Sequence, residues 1–171
     1  MSSEIMSLEM DVFCLLLLIR ILYQMYINRE QNDHWNYFYY TIAWACVYLF
    51  MDAIWIMNVK HFLTFSKIQS GIFNSFYFCS LAMLVCSWYV YVQKTLHSAV
   101  LKHKKILVLT FIPLIFFIGS SLLSYWTHGL FVIDQAGNYH RGKLLPFYFL
   151  ILFAYILYLS IKAGYLSKKA K

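Results

Sequence analysis

The chain has 171 residues, of which 62% are apolar, 20% are aromatic and only 12% are charged, whereas a soluble domain carries about 25% charged residues. This composition excludes an ordinary soluble domain and favours a protein that spans a lipid bilayer. The net charge of +7 would suggest nucleic acid in a soluble chain, but most lysines here flank apolar blocks, so we predict contacts with lipid headgroups and no nucleic acid.

Five apolar blocks follow one another along the chain, each of about 18 to 25 residues and long enough to cross a bilayer core roughly 30 Å thick. We predict helices at about residues 10–27, 37–57, 68–92, 106–126 and 144–161. Neither an internal repeat nor a second domain is visible in the pattern. The predicted fold is therefore a single integral membrane domain over residues 1–171, an all-α bundle of about five transmembrane helices.

The segment GLFVIDQAGNYHRGK, between the fourth and fifth blocks, has the pattern of a β-hairpin. Residues 130–133 suit a strand, residues 134–138 are turn-forming, and residues 139–141 can return as a second strand. An isolated hairpin is marginal in water. We therefore expect it to lie on the outer surface and to cap helices four and five.

The distribution of cationic residues predicts the orientation of the bundle. Nine Lys and Arg residues fall at one end of the predicted spans: Arg29, Lys94, Lys102, Lys104, Lys105, Lys162, Lys168, Lys169 and Lys171. Four fall at the other end: Lys60, Lys67, Arg141 and Lys143. Because cytoplasmic loops are richer in cations, we predict a multi-pass protein of the cell membrane with its amino terminus outside and its carboxyl terminus in the cytoplasm.

Asp52 is the most informative single residue, because an ionisable side chain inside a spanning helix is costly and usually faces a protein interior or a cavity. At 1.5 Å per residue it should lie about 8 Å below the external end of the second helix. Tyr48, Asp52 and Trp55 are spaced by four and three residues, so they share one face of that helix.

Asn74, Tyr77 and Phe78 share a face of the third helix at a similar depth. With Tyr148 and the hairpin they predict a small polar and aromatic pocket, open to the outside. Its candidate ligand-binding residues are Asp52, Trp55, Asn74, Tyr77 and Arg141. The alternative is a structural cluster of hydrogen-bonded side chains that fixes the helix register, with Asp52 protonated or paired with Arg141.

The sequence contains no motif of a phosphate loop, a dinucleotide site, a zinc protease or a nucleophile elbow. The six histidines fall in predicted loops or interfaces, without ligand spacing, and the four cysteines lie inside apolar blocks without CxxC spacing. Asp52 is the one mid-helix carboxylate in the predicted spans, which excludes an intramembrane protease with paired aspartates. We therefore predict a protein without catalytic residues, bound metal or cofactor.

Four stretches resemble one family: VFCLLLLIRILYQMY in the first helix, YLFMDAIW in the second, FNSFYF with SWYVYVQ in the third, and GLFVIDQAGNYHRGKL at the hairpin. They look like the amino-terminal multi-pass membrane region of diguanylate cyclases of Gram-positive bacteria. In that family the region is a sensory input module, followed by a cytoplasmic GGDEF domain. No GGDEF motif occurs in this chain, so cyclase activity is not implied; we expect a fragment, a truncated chain or a stand-alone relative.

Our leading expectation is a membrane sensory module, which binds an external or membrane-soluble small ligand and passes a helix rearrangement to a cytoplasmic signalling domain or partner. We also expect it to form homo-oligomers in the bilayer. A second hypothesis is a small transporter or channel subunit, or a membrane assembly protein, with Asp52 as a proton or cation site. A membrane enzyme is the least favoured class, because one carboxylate and scattered histidines do not assemble acid and base partners.

Overall fold

The structure, a computed structural model, describes residues 3–27, 33–59, 62–63, 65–95, 104–135 and 139–169. It contains five helices, α1 (Ser3–Ile27), α2 (Asp33–Val59), α3 (Lys67–Thr95), α4 (Lys104–Thr127) and α5 (Leu145–Lys169), and two strands, β1 (Phe131–Ile133) and β2 (Tyr139–Arg141). The five predicted helices and the hairpin are confirmed. Arg29, Lys60, Lys102, Lys171 and residues 136–138 of the predicted turn lie outside the described residues.

Among the described residues, three helices are long and apolar enough to cross a membrane, over Leu8–Ile27, Asn36–Asn58 and Lys67–Thr95. Their length and composition fit the predicted membrane location. Helices α4 and α5 have 24 and 25 residues, but their described apolar stretches, Phe111–Thr127 and Leu145–Tyr158, are shorter than a full span. The fourth and fifth spans therefore remain a prediction.

Helix α3 is the central element of the bundle, with α2, α4 and α5 packed around it and α1 packed on α2. Helices α2 and α3, and likewise α3 and α4, are antiparallel, because the end of one meets the start of the next. Lys94, near the end of α3, places its Nζ 5.1 Å from the ring centroid of Tyr37, near the start of α2. At the opposite end of α3, Gly71 lies directly against the ring of Tyr125 in the last turns of α4.

The buried core lies between α3, α4, α5 and the first strand of the hairpin. Tyr148 is fully buried, donates a hydrogen bond to the carbonyl oxygen of Phe78, and packs edge-on against Phe117 with the ring centroids 4.7 Å apart. Tyr148 is therefore a core residue beneath the predicted pocket rather than part of its wall. Most other large apolar side chains of the helices are exposed, as expected for surfaces that face lipid.

The hairpin is antiparallel, with Val132 opposite His140. Its first strand begins one residue later than predicted, and it buries Phe131 and Ile133 on the side that faces the core. Ser124 of α4 holds this strand in place, because its hydroxyl oxygen accepts hydrogen bonds from the backbone N–H groups of Leu130 and Phe131 at 2.9 and 3.0 Å. The hairpin is thus bonded to the end of α4 rather than left as an isolated pair of strands.

The return from β2 into α5 closes over the same backbone. The N–H groups of Gly142 and Leu144 donate to the carbonyl oxygens of Leu130 and Gly129, both at 2.9 Å. The two backbone segments approach so closely at Gly142 that a Cβ atom there would overlap the carbonyl of Gly129. This close approach brings β2 and the first turn of α5 beside the ends of α2 and α3.

Candidate functional site: a cavity between the hairpin and three helices

A cavity of about 430 Å³ lies between the hairpin and the ends of α2, α3 and α5. Trp55 contributes from α2, Asn74 and Tyr77 from α3, Tyr139 and Arg141 from β2, and the first turns of α5 complete the wall. Four of the five predicted ligand-binding residues, Trp55, Asn74, Tyr77 and Arg141, therefore line one cavity. Its volume lies within the range of about 300–1,000 Å³ that is usual for small-molecule sites.

An aromatic wall forms one side of the cavity. The ring of Trp55 is nearly parallel to that of Tyr77, with the centroids 6.3 Å apart and an interplanar angle of 18°. Tyr139 meets the edge of Trp55 at 5.7 Å and 89°. The predicted helix faces produce this arrangement, since Trp55 lies on the face of α2 that contacts α3, and Tyr77 follows Asn74 by one helical turn.

Asn74 supplies a polar group to the cavity. Its side chain is only 2% exposed, and its Nδ2 donates to the carbonyl oxygen of Ser70 at 2.7 Å. Because a carbonyl oxygen can only accept a hydrogen bond, Nδ2 and not Oδ1 of the amide must face Ser70. The remaining polar atom of the side chain is Oδ1. Oδ1 is buried and has no hydrogen-bond partner among the described residues, a situation that costs about 1–3 kcal/mol when nothing compensates.

Tyr139 and Arg141 reach the cavity from alternate positions of β2, while His140 between them lies 3.4 Å from Asp134. This placement follows from the period of two along a strand. Burial raises the pKa of the Tyr139 hydroxyl, and the Arg141 guanidinium partly offsets that effect. The hydroxyl therefore stays neutral near pH 7 and can donate as well as accept a hydrogen bond.

Asp52 lies beside the cavity rather than in its wall. Its carboxyl lies close to the side chains of Asp11 in α1 and Tyr77 in α3. These contacts, and not the predicted alternative of an ion pair with Arg141, are those of Asp52 among the described residues. Tyr77 therefore touches Asp52 with its hydroxyl and lines the cavity with its ring.

The expectation of a single mid-helix carboxylate is wrong. Helix α1 begins at Ser3, about two turns before its predicted start at residue 10, so Asp11 lies well inside the helix. The antiparallel packing of α1 and α2 then brings Asp11 beside Asp52. One oxygen of Asp11, Oδ2, is buried without a hydrogen-bond partner among the described residues. The exclusion of a paired-aspartate site on the ground of residue count therefore fails.

The predicted pocket and the predicted structural cluster involve different polar residues. Tyr48 and Tyr77 place their hydroxyl oxygens 3.2 Å apart between α2 and α3, which fixes the register of these helices together with Asp52. Ser121 donates within its own helix to the carbonyl of Phe117 at 2.7 Å, and Ser124 holds the hairpin. The Asp52 carboxyl and the two tyrosines thus lie between α2 and α3, whereas the two serines bond within α4 and to the hairpin, and the cavity lies beside these groups.

Two contributors were missed at the level of sequence. Tyr139 was assigned only to the return strand, although its spacing of two from Arg141 places both side chains on one face. The first turns of α5 contribute Pro146 and Phe149 to the wall, whereas depth alone points to Tyr148 in this segment, which lies in the core instead. Among the described residues, no group of three or more His, Cys, Asp or Glu side chains is placed to hold a metal ion.

Comparison of the chain with family models, with curated proteins and with solved structures gave no match.

Replacing Asp52 with leucine is expected to lower the free energy of unfolding by about 1–3 kcal/mol, because the carboxyl of Asp11 then stays buried without its partner. In the double variant Asp11→Leu/Asp52→Leu both polar groups are replaced, so the loss should be smaller than the sum of the two single losses. Steric trapping in lipid bicelles measures these free energies. Strictly additive losses would contradict a direct contact between the carboxyl groups.

Proposed function

We propose that the protein is a membrane sensory module that binds a small ligand in the cavity and passes a helix rearrangement to the opposite membrane face. The observation that carries the proposal is the convergence of Trp55, Asn74, Tyr77 and Arg141, from three separate elements, on one cavity. The resemblance to the membrane regions of diguanylate cyclases supports the signalling part. A cytoplasmic signalling domain or partner would receive the output.

The proposed orientation places the hairpin and the cavity outside and the far end of α3 in the cytoplasm. Its support is the excess of lysines around the α3–α4 connection and in the carboxyl-terminal segment, according to the positive-inside rule. The antiparallel packing of α3 with α4, and of α2 with α3, is compatible with five spans. With an external amino terminus, all helix ends that surround the cavity then lie in the outer half of the bilayer.

The proposed mechanism is differential binding of the ligand to two packings of the bundle, which shifts their populations. Tyr77 is the contact through which the cavity reaches the helix interfaces, because its ring lines the cavity and its hydroxyl meets Tyr48 at 3.2 Å. Helix α5 begins at the cavity and runs to the basic carboxyl-terminal segment. A small displacement of Tyr77 or of the first turn of α5 would thus be carried along α3 and α5.

A second candidate is a transporter or channel subunit in which the pair Asp11 and Asp52 holds a proton or a cation. The specific observation in its favour is the proximity of the two carboxyl groups, since two neighbouring carboxylates can share a proton. In this case the cavity would be incidental. Blocking it would leave function unchanged, whereas the sensory proposal requires an open cavity.

A pair of tryptophan substitutions tests the sensory proposal. Pro146 is exposed and lines the cavity, so Pro146→Trp should fill its mouth, whereas the neighbouring exposed Phe147 is not part of the wall. Small anionic, neutral and cationic aromatic fragments are added to the full chain in lipid nanodiscs, and the midpoint of thermal unfolding is recorded. A fragment at 100 times its Kd should stabilise the native state by about 2.7 kcal/mol.

We expect at least one fragment class to raise the midpoint in the wild type and in Phe147→Trp but not in Pro146→Trp. Stabilisation that persists in Pro146→Trp would place binding elsewhere, and the absence of any stabilising fragment would reject the cavity as a ligand site.

A further inference from the structure

The cavity carries a positive charge at its hairpin side. Arg141 is exposed, and it is the one charged side chain among the described residues that line the wall. Asp52, which would have attracted a cation, lies outside the wall and is engaged with Asp11 and Tyr77. A guanidinium group binds carboxylates through two parallel hydrogen bonds. The electrostatics of the wall therefore favour an anionic group on the ligand and disfavour an ammonium group.

The body of the ligand is selected by the aromatic wall. Trp55, Tyr77 and Tyr139 present ring faces and edges on one side, and Phe149 and Leu145 add apolar surface from α5. Aromatic pairs prefer offset-stacked or edge-to-face geometries, and both occur in this wall, at interplanar angles of 18° and 89°. A flat, conjugated ring system would extend this arrangement, whereas an inorganic anion is too small to cover the rings.

Asn74 selects a polar group on the ligand, separate from the anionic group that Arg141 binds. No described residue donates a hydrogen bond to its Oδ1. The hydrogen bond from Nδ2 to the carbonyl oxygen of Ser70 keeps the amide from rotating its NH2 group into the position of Oδ1. The side chain is 2% exposed, so bulk water does not solvate it freely. A ligand with an N–H or O–H group directed at Asn74 would supply the missing donor.

We propose that the cavity binds small planar aromatic carboxylates that carry an N–H or O–H donor, with the carboxylate at Arg141, the ring against Trp55 and the donor at Asn74. This assignment rests on the proposed ligand-binding function and names the class of ligand. It involves no covalent step. Removal of either polar group from the ligand is therefore expected to weaken binding independently, because the two groups contact different side chains.

Indole-3-acetate is a suitable probe, because it has the carboxylate, the planar ring and one N–H donor. Binding to the full chain in nanodiscs is measured by isothermal titration calorimetry, beside three matched probes. The compound 1-methylindole-3-acetate lacks the donor, indole-3-ethanol lacks the anion, and tryptamine replaces the anion with a cation. We expect each loss of a polar group to raise Kd about tenfold, the effect of one hydrogen bond of ordinary net strength, and tryptamine to bind more weakly still.

Two variants assign each preference to its side chain. Asn74→Leu should abolish the difference between indole-3-acetate and its N-methyl analogue while keeping the preference for the carboxylate. Arg141→Gln should abolish the preference for the carboxylate while keeping the difference between indole-3-acetate and its N-methyl analogue. If leucine at position 74 prevents folding, Asn74→Ala serves the same purpose, and the comparison of probes on the wild type stands without either variant.

Equal affinity for indole-3-acetate and its N-methyl analogue would overturn the assignment of Asn74. Binding of tryptamine at least as tight as that of indole-3-acetate, blocked by Pro146→Trp, would overturn the ligand class and leave the ligand-binding function standing. Failure of all four probes, while other fragments still bind in the cavity, would reject this class alone. Failure of every fragment would reject the proposed function as well.

Discussion

Gly142→Ala is expected to displace the hairpin and to destabilise the protein by about 1–3 kcal/mol, the usual cost of overpacking a close contact. A Cβ atom at position 142 would overlap the carbonyl of Gly129 and the backbone of Leu130. Backbone atoms cannot rotate away as a flexible side chain can. Relief of the overlap must therefore break the hydrogen bond from the Gly142 N–H to Leu130, which is 2.9 Å long.

The loss should reach the cavity, because Tyr139 and Arg141 belong to the strand that directly precedes Gly142. Gly119→Ala is the matched control, since Gly119 is helical and an added Cβ there meets nothing within 4 Å. Alanine should stabilise that helix position by up to about 0.5–1 kcal/mol. Steric trapping would measure both variants. A Gly142→Ala protein as stable as Gly119→Ala would contradict the close approach at the base of the hairpin.

Ser124→Ala is expected to cost about 2–6 kcal/mol, because two buried backbone N–H groups lose one shared acceptor and each unsatisfied donor costs about 1–3 kcal/mol. These donors belong to Leu130 and Phe131, and the Ser124 side chain is fully buried. Alanine removes the oxygen without adding volume. The effect should therefore report the hydrogen bonds and not a steric change.

Ser160→Ala is the control for this substitution. Ser160 is exposed and donates only to the carbonyl of Ile156 within its own helix, at 2.9 Å, so its loss should change stability by less than about 0.5 kcal/mol. Hydrogen exchange of the Leu130 and Phe131 amides provides a second readout. Both amides should exchange faster than in the wild type in Ser124→Ala, and at the wild-type rate in Ser160→Ala. Equal protection in the two variants would show that Ser124 does not hold the hairpin.

The helices and the hairpin were predictable because their signals are local. Runs of apolar residues set the helices to within a few residues, except at two ends. At the start of α1, Glu4 and Glu9 interrupt the apolar pattern although the helix begins at Ser3, and α5 continues to Lys169 although lysines follow its predicted end at residue 161. The hairpin followed from one strand-like run, a turn-forming segment and a short return. Its attachment to Ser124 was not predictable, since a serine near a helix end also suits a bond within its own helix.

The candidate site was predictable to the extent that helix periodicity determines faces. Spacing on α2 and α3 correctly grouped Tyr48 with Asp52 and Trp55, and Asn74 with Tyr77, and the structure joins the two faces through Tyr77. Depth alone could not separate the wall of the cavity from the polar cluster beside it. Asp52 and Trp55 differ by less than one helical turn, yet only Trp55 lines the cavity.

The partner of Asp52 could not be predicted from local pattern, because it depends on how far α1 extends and which helix it packs on. Asp11 lies before the strongly apolar part of the first block, where a helix start and a polar tail have similar composition. The contact between Asp11 and Asp52 arises from the antiparallel packing of α1 on α2. A contact between two helices produces no pattern at one-turn spacing within either sequence, so periodicity cannot predict it.

Labelling of single cysteines in intact cells tests the outward-facing site most directly. In a background in which Cys14, Cys46, Cys79 and Cys86 are alanine, one variant carries Gln135→Cys in the hairpin and another Thr95→Cys at the far end of α3. Both positions are exposed. A membrane-impermeant maleimide should label Gln135→Cys in intact cells and Thr95→Cys only after lysis. Labelling of Thr95→Cys from outside, with Gln135→Cys protected until lysis, would contradict an external cavity.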